Sequence, residues 1–576
     1  MYDLIVRGGT LVDGTGRQAY TADVAIQGSD IAEVGKITAT ARHTFDASGL
    51  LVTPGWIDIH THYDGQATWD PLLEPSSLHG VTTVIMGNCG VGFAPVRSGR
   101  EAWLTGLMEG VEDIPGAALT AGIKWEWESF PEYLDAIETM PRAINVGCQI
   151  PHGPLRAYVM GERGAENAPS SPEEMEEMAA LVDEAMLSGA LGFSTNRTAV
   201  HIGVDGNQVP GTFADKEELL SICQAVTRFG TGVVEVAPSG VVGENLTAPS
   251  EEVALLKELS IETGCKITFL LGQHNSAPNQ WKEMLKAAEE GNTEGACLVP
   301  QVFGRPTGFL FSFQTLNPFW RFPSFQPLMA CTHEERLGIL QKVEFKAQLL
   351  REEDAVADSR QEILRDPWSR TYILGDPPNY EPEPENSIAE LAKRQGRNPR
   401  EIAYEIMLEE EGTRFLMYCF LGYADGDLSA IQEMLVHPQT VIGGSDGGAH
   451  YRYICDGSVP TYMLSHWTRD RTRGSQLPLE LIVRKQTLNN ANLYGLHDRG
   501  IIEVGRKADL NIIDFQSLGI SKPYLVSDLP AKQPRLMQSA TGYEATIVSG
   551  KIVRSRGQDT GERPGSLIRG GAHWVQ

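Results

Sequence analysis

Between about residue 54 and residue 310, short apolar runs rich in β-branched residues alternate with segments of helical period. The runs read VTTVIMGNCG, AINVGCQI, ALGFSTN, GVVEVAP and KITFLLG, and between several of them lie segments such as SPEEMEEMAALVDEAMLSG and TAPSEEVALLKELSIETG. Apolar runs this short are strands buried on both faces, and the helices between them predict a parallel sheet, either a barrel or a doubly wound sheet. The first helical segment opens on Ser171-Pro172-Glu173-Glu174 and stops at Gly189, a cap residue, a first-turn proline with early acids, and a terminating glycine.

The flanks have another rhythm. Residues 2–53 (DLIVRGGTLVDG, DVAIQGSDIAEVG, HTFDASGLLVTPG) are short strands with Gly and Asp-Gly turns, and GIIEVGRKADLNIIDF and ATIVSGKIV repeat that pattern near the other end. The last twenty residues are expected to form an extended tail. Residues 303–330 are dense in phenylalanine and suit either an aromatic core or a loop walling an apolar ligand pocket. Arg305 and Arg321 within it are candidates to receive a carboxylate. Residues 333–435 are charged and helical in character without a strong strand, and are broken by the acidic loop DPPNYEPEPENS.

At 576 residues the chain is too long for one small domain. A net charge of −27 repels phosphate, which excludes nucleic acid and disfavours anionic membranes as partners. The eight cysteines contain no C-x-x-C pair, as expected for reduced thiols in the cytoplasm. The N-terminus lacks the basic start of a signal peptide, and no apolar stretch approaches the ~18 residues of a membrane span. The expectation is a cytoplasmic protein, homo-oligomeric, acting on a small molecule.

The chemistry starts at Leu51-Val52-Thr53-Pro54-Gly55-Trp56-Ile57-Asp58-Ile59-His60-Thr61-His62. On a strand, residues i and i+2 share a face, so His60 and His62 aim two imidazoles at one point, as a divalent metal requires. A second strand, Val441-Ile442, delivers Asp446 at its C-terminal end among glycines. Together these read as a metal site with a base.

The chain resembles the amidohydrolase superfamily, and within it the N-acyl-D-amino-acid deacylase (D-aminoacylase) branch. The resemblance rests on DLIVRGGTLVDGTG, PGWIDIHTHYD, GVTTVIMGNCGVGFAP, GALGFST, GGSDGGAH, DRGIIEVGRKADLNIIDF and ERPGSLIRG, spread over nearly the whole chain. It implies an α/β fold in which a (β/α)8 TIM-like barrel spans 54–495, with an insertion around 305–435. A small β-sandwich would be built from 1–53 and 496–576.

Residue by residue, the resemblance implies His60, His62, Cys89 and Asp446 as ligands of one or two divalent ions, zinc expected. It makes Asp446 the catalytic base, and places His152, in PHGPLR, in the site. His450 lies just beyond Asp446 and is placed at the substrate.

The chain departs from the branch at the next two strands, where histidine ligands are expected. GVVEVAPSG offers only Glu235; KITFLLGQHN has Leu271 and Gly272 there, with His274 shortly after. His201, in a glycine-rich loop, is expected to face solvent.

The reaction expected is hydrolysis of a non-peptide amide, with Arg305 holding a carboxylate and the Phe-rich segment an apolar acyl group. The alternatives are a mononuclear amidohydrolase acting on a cyclic amide, an ester or another bond, and a metal-free barrel serving as a binding or scaffold protein.

Overall fold

The computed structural model describes residues 1–352 and 367–570. The part of the helical expectation on 353–366, and tail residues 571–576, lie outside the described residues. Among the strands are β1 (Tyr2–Leu11), β2 (Tyr20–Gln27), β3 (Asp30–Gly35), β4 (Ala41–Asp46) and β5 (Leu51–Pro54). They join C-terminal strands in one 9-stranded sheet. Leu510–Ile513 lies between β5 and Tyr543–Val548, with Val52 opposite Ile512. The alternating inner residues Val24, Ile26, Val52, Leu510, Ile512 and Ile547 close a small core, which explains why both termini read as short strands. This β-rich unit positions the site, because β5 runs through Gly55 directly into β6 (Trp56–Asp58), the first barrel strand.

The barrel is a (β/α)8 TIM-like barrel drawn as two arcs. One is a 4-stranded parallel ladder in which β6, β7 (Val81–Met86) and β8 (Asn145–Cys148) are neighbours. The other is a 6-stranded parallel ladder of β9 (Ile150–Pro151), β10 (Gly192–Asn196), β11 (Val233–Ala237), β12 (Lys266–Leu271), β13 (Cys297–Val302) and β17 (Val441–Ile442). β8 and β9 are halves of one strand interrupted at Gln149, whose N–H still reaches Met86 O at 3.0 Å. On the other side the first and last strands meet just beyond their ends, where His62 N donates to Gly447 O at 2.8 Å. That contact sets the metal-site candidates of the two strands side by side. The helix Pro172–Ser188 starts and stops where expected, with Ser171 and Glu174 forming a capping box and Gly189 ending it at φ 110°.

The insertion has its own core. β14 (Thr307–Phe311), β15 (Thr371–Ile373) and β16 (Leu416–Leu421) form an antiparallel sheet in the order β14-β16-β15. The expectation of a region without a strong strand is therefore corrected. LMYCFL is a fully apolar run, ambiguous in period, and its charged surroundings read as helical. The phenylalanines divide between both readings: Phe311, Phe313, Phe319, Phe322 and Phe325 pack with Tyr404 and Met407 inside the insertion, whereas Phe303, Phe309 and Trp320 face a cavity. The tail is docked: Leu567–Ile568 pairs parallel with β8.

Candidate metal centre and active-site cavity

His60, His62 and Cys89 come together at the mouth of the barrel, all buried, with ligand atoms within 4.8 Å of one another. Cys89 Sγ lies 3.4 Å from His60 Nε2. Asp446 Oδ1 lies 3.5 Å from His60 Nε2 and 3.7 Å from His62 Nε2. A tetrahedral ion with bonds of about 2.0–2.3 Å separates its ligand atoms by about 3.3–3.7 Å. His60, His62 and Cys89 therefore suit a divalent cation, with Asp446 beside the two histidines.

Local geometry explains the aim of each side chain. Cys89 has φ 53° and Asp446 φ 48°, left-handed conformations that non-glycine residues adopt at a cost when the surroundings demand it. Asn88 Nδ2 donates to Thr61 O and Ile85 O, both at 3.0 Å, tying the loop after β7 to the His-X-His segment. Gly87 has φ 80°, and a Cβ there would stand 2.3 Å from Gln149 O, so only glycine fits that approach. Ser445 bonds Asp58 and His60 O, joining the ends of the first and last strands.

The electrostatics are those of a buried cluster of carboxylates and imidazoles, whose charges burial and mutual pairing decide. Burial lifts the Glu235 carboxyl to about 8 and the Asp58 carboxyl to about 7, the latter partly offset by the Ser445 hydrogen bond. Burial draws the His62 imidazole down, yet Glu112 and Asp446 beside it outweigh that and push it up to about 9. Burial opposes ionisation of Asp446, but His62, His60 and His450 around it hold its carboxyl below the ordinary carboxylate range. Converging carboxylates and imidazoles of this kind suit a cation.

A cavity of about 700 Å³ opens onto the centre. Leu270, Phe303, Phe309, Leu316, Trp320 and Phe420 form its apolar wall, and His201, His450, Arg452 and Tyr453 its polar part. His201 thus faces inward, against the expectation of exposure. Its loop folds back through a bridge between Ile202 and Gln208, leaving Val204 as the exposed tip at 63%.

Two expected substrate contacts lie elsewhere. His152 is fully buried, held at 2.9 Å by both Thr195 Oγ1 and Glu218 Oε1, and is not in the cavity wall. Arg305 is also away from the wall. Its guanidinium pairs with Asp456 at 2.8 Å, donates to Cys455 O at 2.9 Å, and lies over the Tyr380 ring at 3.8 Å. His152 was placed through the resemblance and Arg305 through its phenylalanine-rich segment, and both are engaged by packing partners that sequence does not reveal. His274 is likewise engaged, with Gln280, at 2.9 Å, and supplies no missing ligand. Arg452 and Glu112 were missed; neither sits in a spacing pattern that marks it.

The two histidines lie just past the end of β6 rather than on the strand as expected; a barrel with these histidines, a loop cysteine and an aspartate beyond the last strand is a metal-dependent hydrolase of carbon–nitrogen bonds other than peptide bonds. The chain belongs to the amidohydrolase family, whose sequence model matches residues 43–554. It is 28% identical to the D-aminoacylase of Alcaligenes xylosoxydans xylosoxydans over 575 residues, covering 98% of this chain and 97% of that protein. The N-acyl-D-aspartate deacylase of the same organism is 27% identical over 580 residues, with 99% and 95% covered. Among solved structures, the N-acyl-D-glutamate deacylase of Bordetella bronchiseptica, complexed with zinc and a phosphonate inhibitor, aligns with a TM-score of 0.64. It shares 22% identity and covers 99% of both chains.

Proposed function

We propose that this chain is a zinc-dependent N-acyl amino acid deacylase that accepts large apolar acyl groups. The observation that carries the reading is the aromatic wall of the cavity, which leads to the His60–His62–Cys89–Asp446 centre. The deacylase relatives, similar over the full chain, support the reaction class. Two imidazoles and a thiolate are ligands suited to zinc. One group of three such ligands converges among the described residues, which favours one ion per chain.

When bound, the ion lowers the pKa of water and polarises a carbonyl oxygen. Asp446, kept ionised by the surrounding histidines, accepts the proton from water and returns it to the leaving amine. His450 stands 3.9 Å from the other Asp446 oxygen, with Tyr453 OH 3.4 Å from its Nδ1, and faces the substrate. Arg452 is the one arginine of the cavity wall among the described residues and takes the carboxylate role first assigned to Arg305, sharing its guanidinium with Asp113. The apolar wall receives the acyl group and keeps water from it.

A cytoplasmic setting is supported by eight cysteines, none of them disulfide-bonded. No helix among the described residues is long and apolar enough to cross a membrane. A homo-oligomer is proposed from the sequence reading alone.

The test is a panel of N-acyl-D- and N-acyl-L-amino acids with acyl groups from acetyl to long-chain and aryl, assayed on zinc-loaded protein. Cleavage rising with acyl size is expected. Cleavage confined to cyclic amides or esters, or none on any N-acyl amino acid, would overturn the reading.

A further inference from the structure

The centre lacks two ligand histidines that the sequence resemblance implies, and the buried carboxylates of Glu235 and Glu112 come to 3.7 Å and 3.5 Å from its histidines. Glu235, on β11, is the one that strand order suggests. Its placement is different from that of a ligand: Oε2 accepts the Cys89 N–H at 2.9 Å, and Oε1 lies 3.7 Å from Nδ1 of His60. His60 turns its other nitrogen, Nε2, toward Cys89 and Asp446. Glu235 therefore stands behind His60, on the Nδ1 side where Gln301 Oε1 at 3.3 Å holds the ring, and its own Oε1 is buried without a hydrogen-bond partner.

Glu112 is placed on the open side. It is the last residue of α1 (Glu101–Glu112), 2% exposed, and lines the cavity. Its Oε2 lies 3.5 Å from His62 Nε2 and 3.6 Å from His450 Nε2. The His62 separation matches the spacing between atoms bound to one ion, about 3.3–3.7 Å. Its Oε1 is buried without a hydrogen-bond partner. A carboxylate so desolvated wants a cation.

The backbone fixes this position. Asp113 ends the helix at φ 53° and bonds Arg452, while His450 N donates to Glu112 O at 2.6 Å. The helix end is thus locked to the loop that carries Asp446. Gly110 presses on Gly203, where a Cβ would meet backbone at 2.5 Å, and holds α1 close.

We propose that Glu112 is a metal ligand of this centre, beside His62 and Asp446, in place of a histidine that the chain does not have. The proposal rests on the reading that His60, His62, Cys89 and Asp446 hold an ion.

Full-length protein is loaded with Co(II), and its affinity is measured by competition with a chromophoric chelator while the visible ligand-field bands are recorded. Glu112→Gln, which keeps shape, is expected to weaken binding by roughly tenfold or more and to change the bands; Glu112→His is expected to recover both affinity and band intensity. Glu235→Gln is expected to leave the bands in place, because it changes no bound atom. Unaltered affinity and bands in Glu112→Gln would overturn the ligand assignment alone, and so would loss in both Glu112 variants with bands unchanged. A wild-type chain that binds no Co(II) would overturn the underlying metal reading as well.

Discussion

The rings of Phe309 and Phe420 stack with centroids 4.9 Å apart and planes 18° from parallel. One comes from β14 and the other from β16, so the sheet of the insertion builds the cavity wall. Tyr453 meets Phe309 edge-on at 5.2 Å and reaches His450, which links this wall to the centre. Removing one ring forfeits about 1.5–3 kcal/mol of apolar burial for a substrate that fills the space. Phe309→Ala is therefore expected to raise KM by roughly 10- to 100-fold for long or aromatic acyl groups, with kcat little changed and acetyl substrates spared. A uniform loss across acyl sizes in steady-state assays would refute the wall as an acyl site.

Asp446 is both a ligand candidate and the base. Asp446→Asn is expected to lower kcat by about 10²- to 10⁴-fold, the usual worth of a positioned base. Dialysis against a strong chelator should silence the native enzyme, and zinc should restore it. Restoration of the Asn variant by zinc alone would argue against the assignment to Asp446.

Glu218 joins His152 at 2.9 Å and also pairs with the buried Arg156 guanidinium. Burial opposes its ionisation, but the His152 hydrogen bond and Arg156 outweigh that and hold the carboxyl near 2, below the ordinary 4.5. The unfolded chain thus takes up its proton first as pH falls. The stability this group supplies is fully present above about 4.5 and is lost as pH falls toward 2. Glu218→Gln is expected to cost about 3–5 kcal/mol at neutral pH by leaving Arg156 uncompensated, and to flatten the acid limb of a plot of unfolding free energy against pH. An unchanged acid limb would refute the pairing as its source.

Gly87 holds the turn that presents Asn88 and Cys89. Gly87→Ala combines a positive φ with a backbone clash, and is expected to cost about 1–3 kcal/mol and to weaken metal binding with it. Calorimetry together with metal titration checks both; a stable variant with full affinity would show the turn to be tolerant.

The alternation of buried strands and helices and the strand-rich ends were legible in the sequence, because period and turn chemistry are local properties. The same holds for the capped helix at Ser171. The His60–Thr61–His62 motif stood out by its residues, although both histidines follow the end of β6 rather than sit on it. Cys89 entered through resemblance, and its geometry bears on it only through the left-handed turn after β7. What surrounds these residues was not legible. His152, placed by resemblance, and Arg305, placed by its phenylalanine-rich segment, are held instead by partners from distant segments, Glu218 and Asp456. Glu112, Arg452 and His201 reach the cavity from helix and loop positions without any periodic signal. Local sequence thus determined which strands could carry ligands. Only the tertiary structure decided which charged groups converge on them, because the balance of burial against a compensating partner is set by residues far apart in the chain.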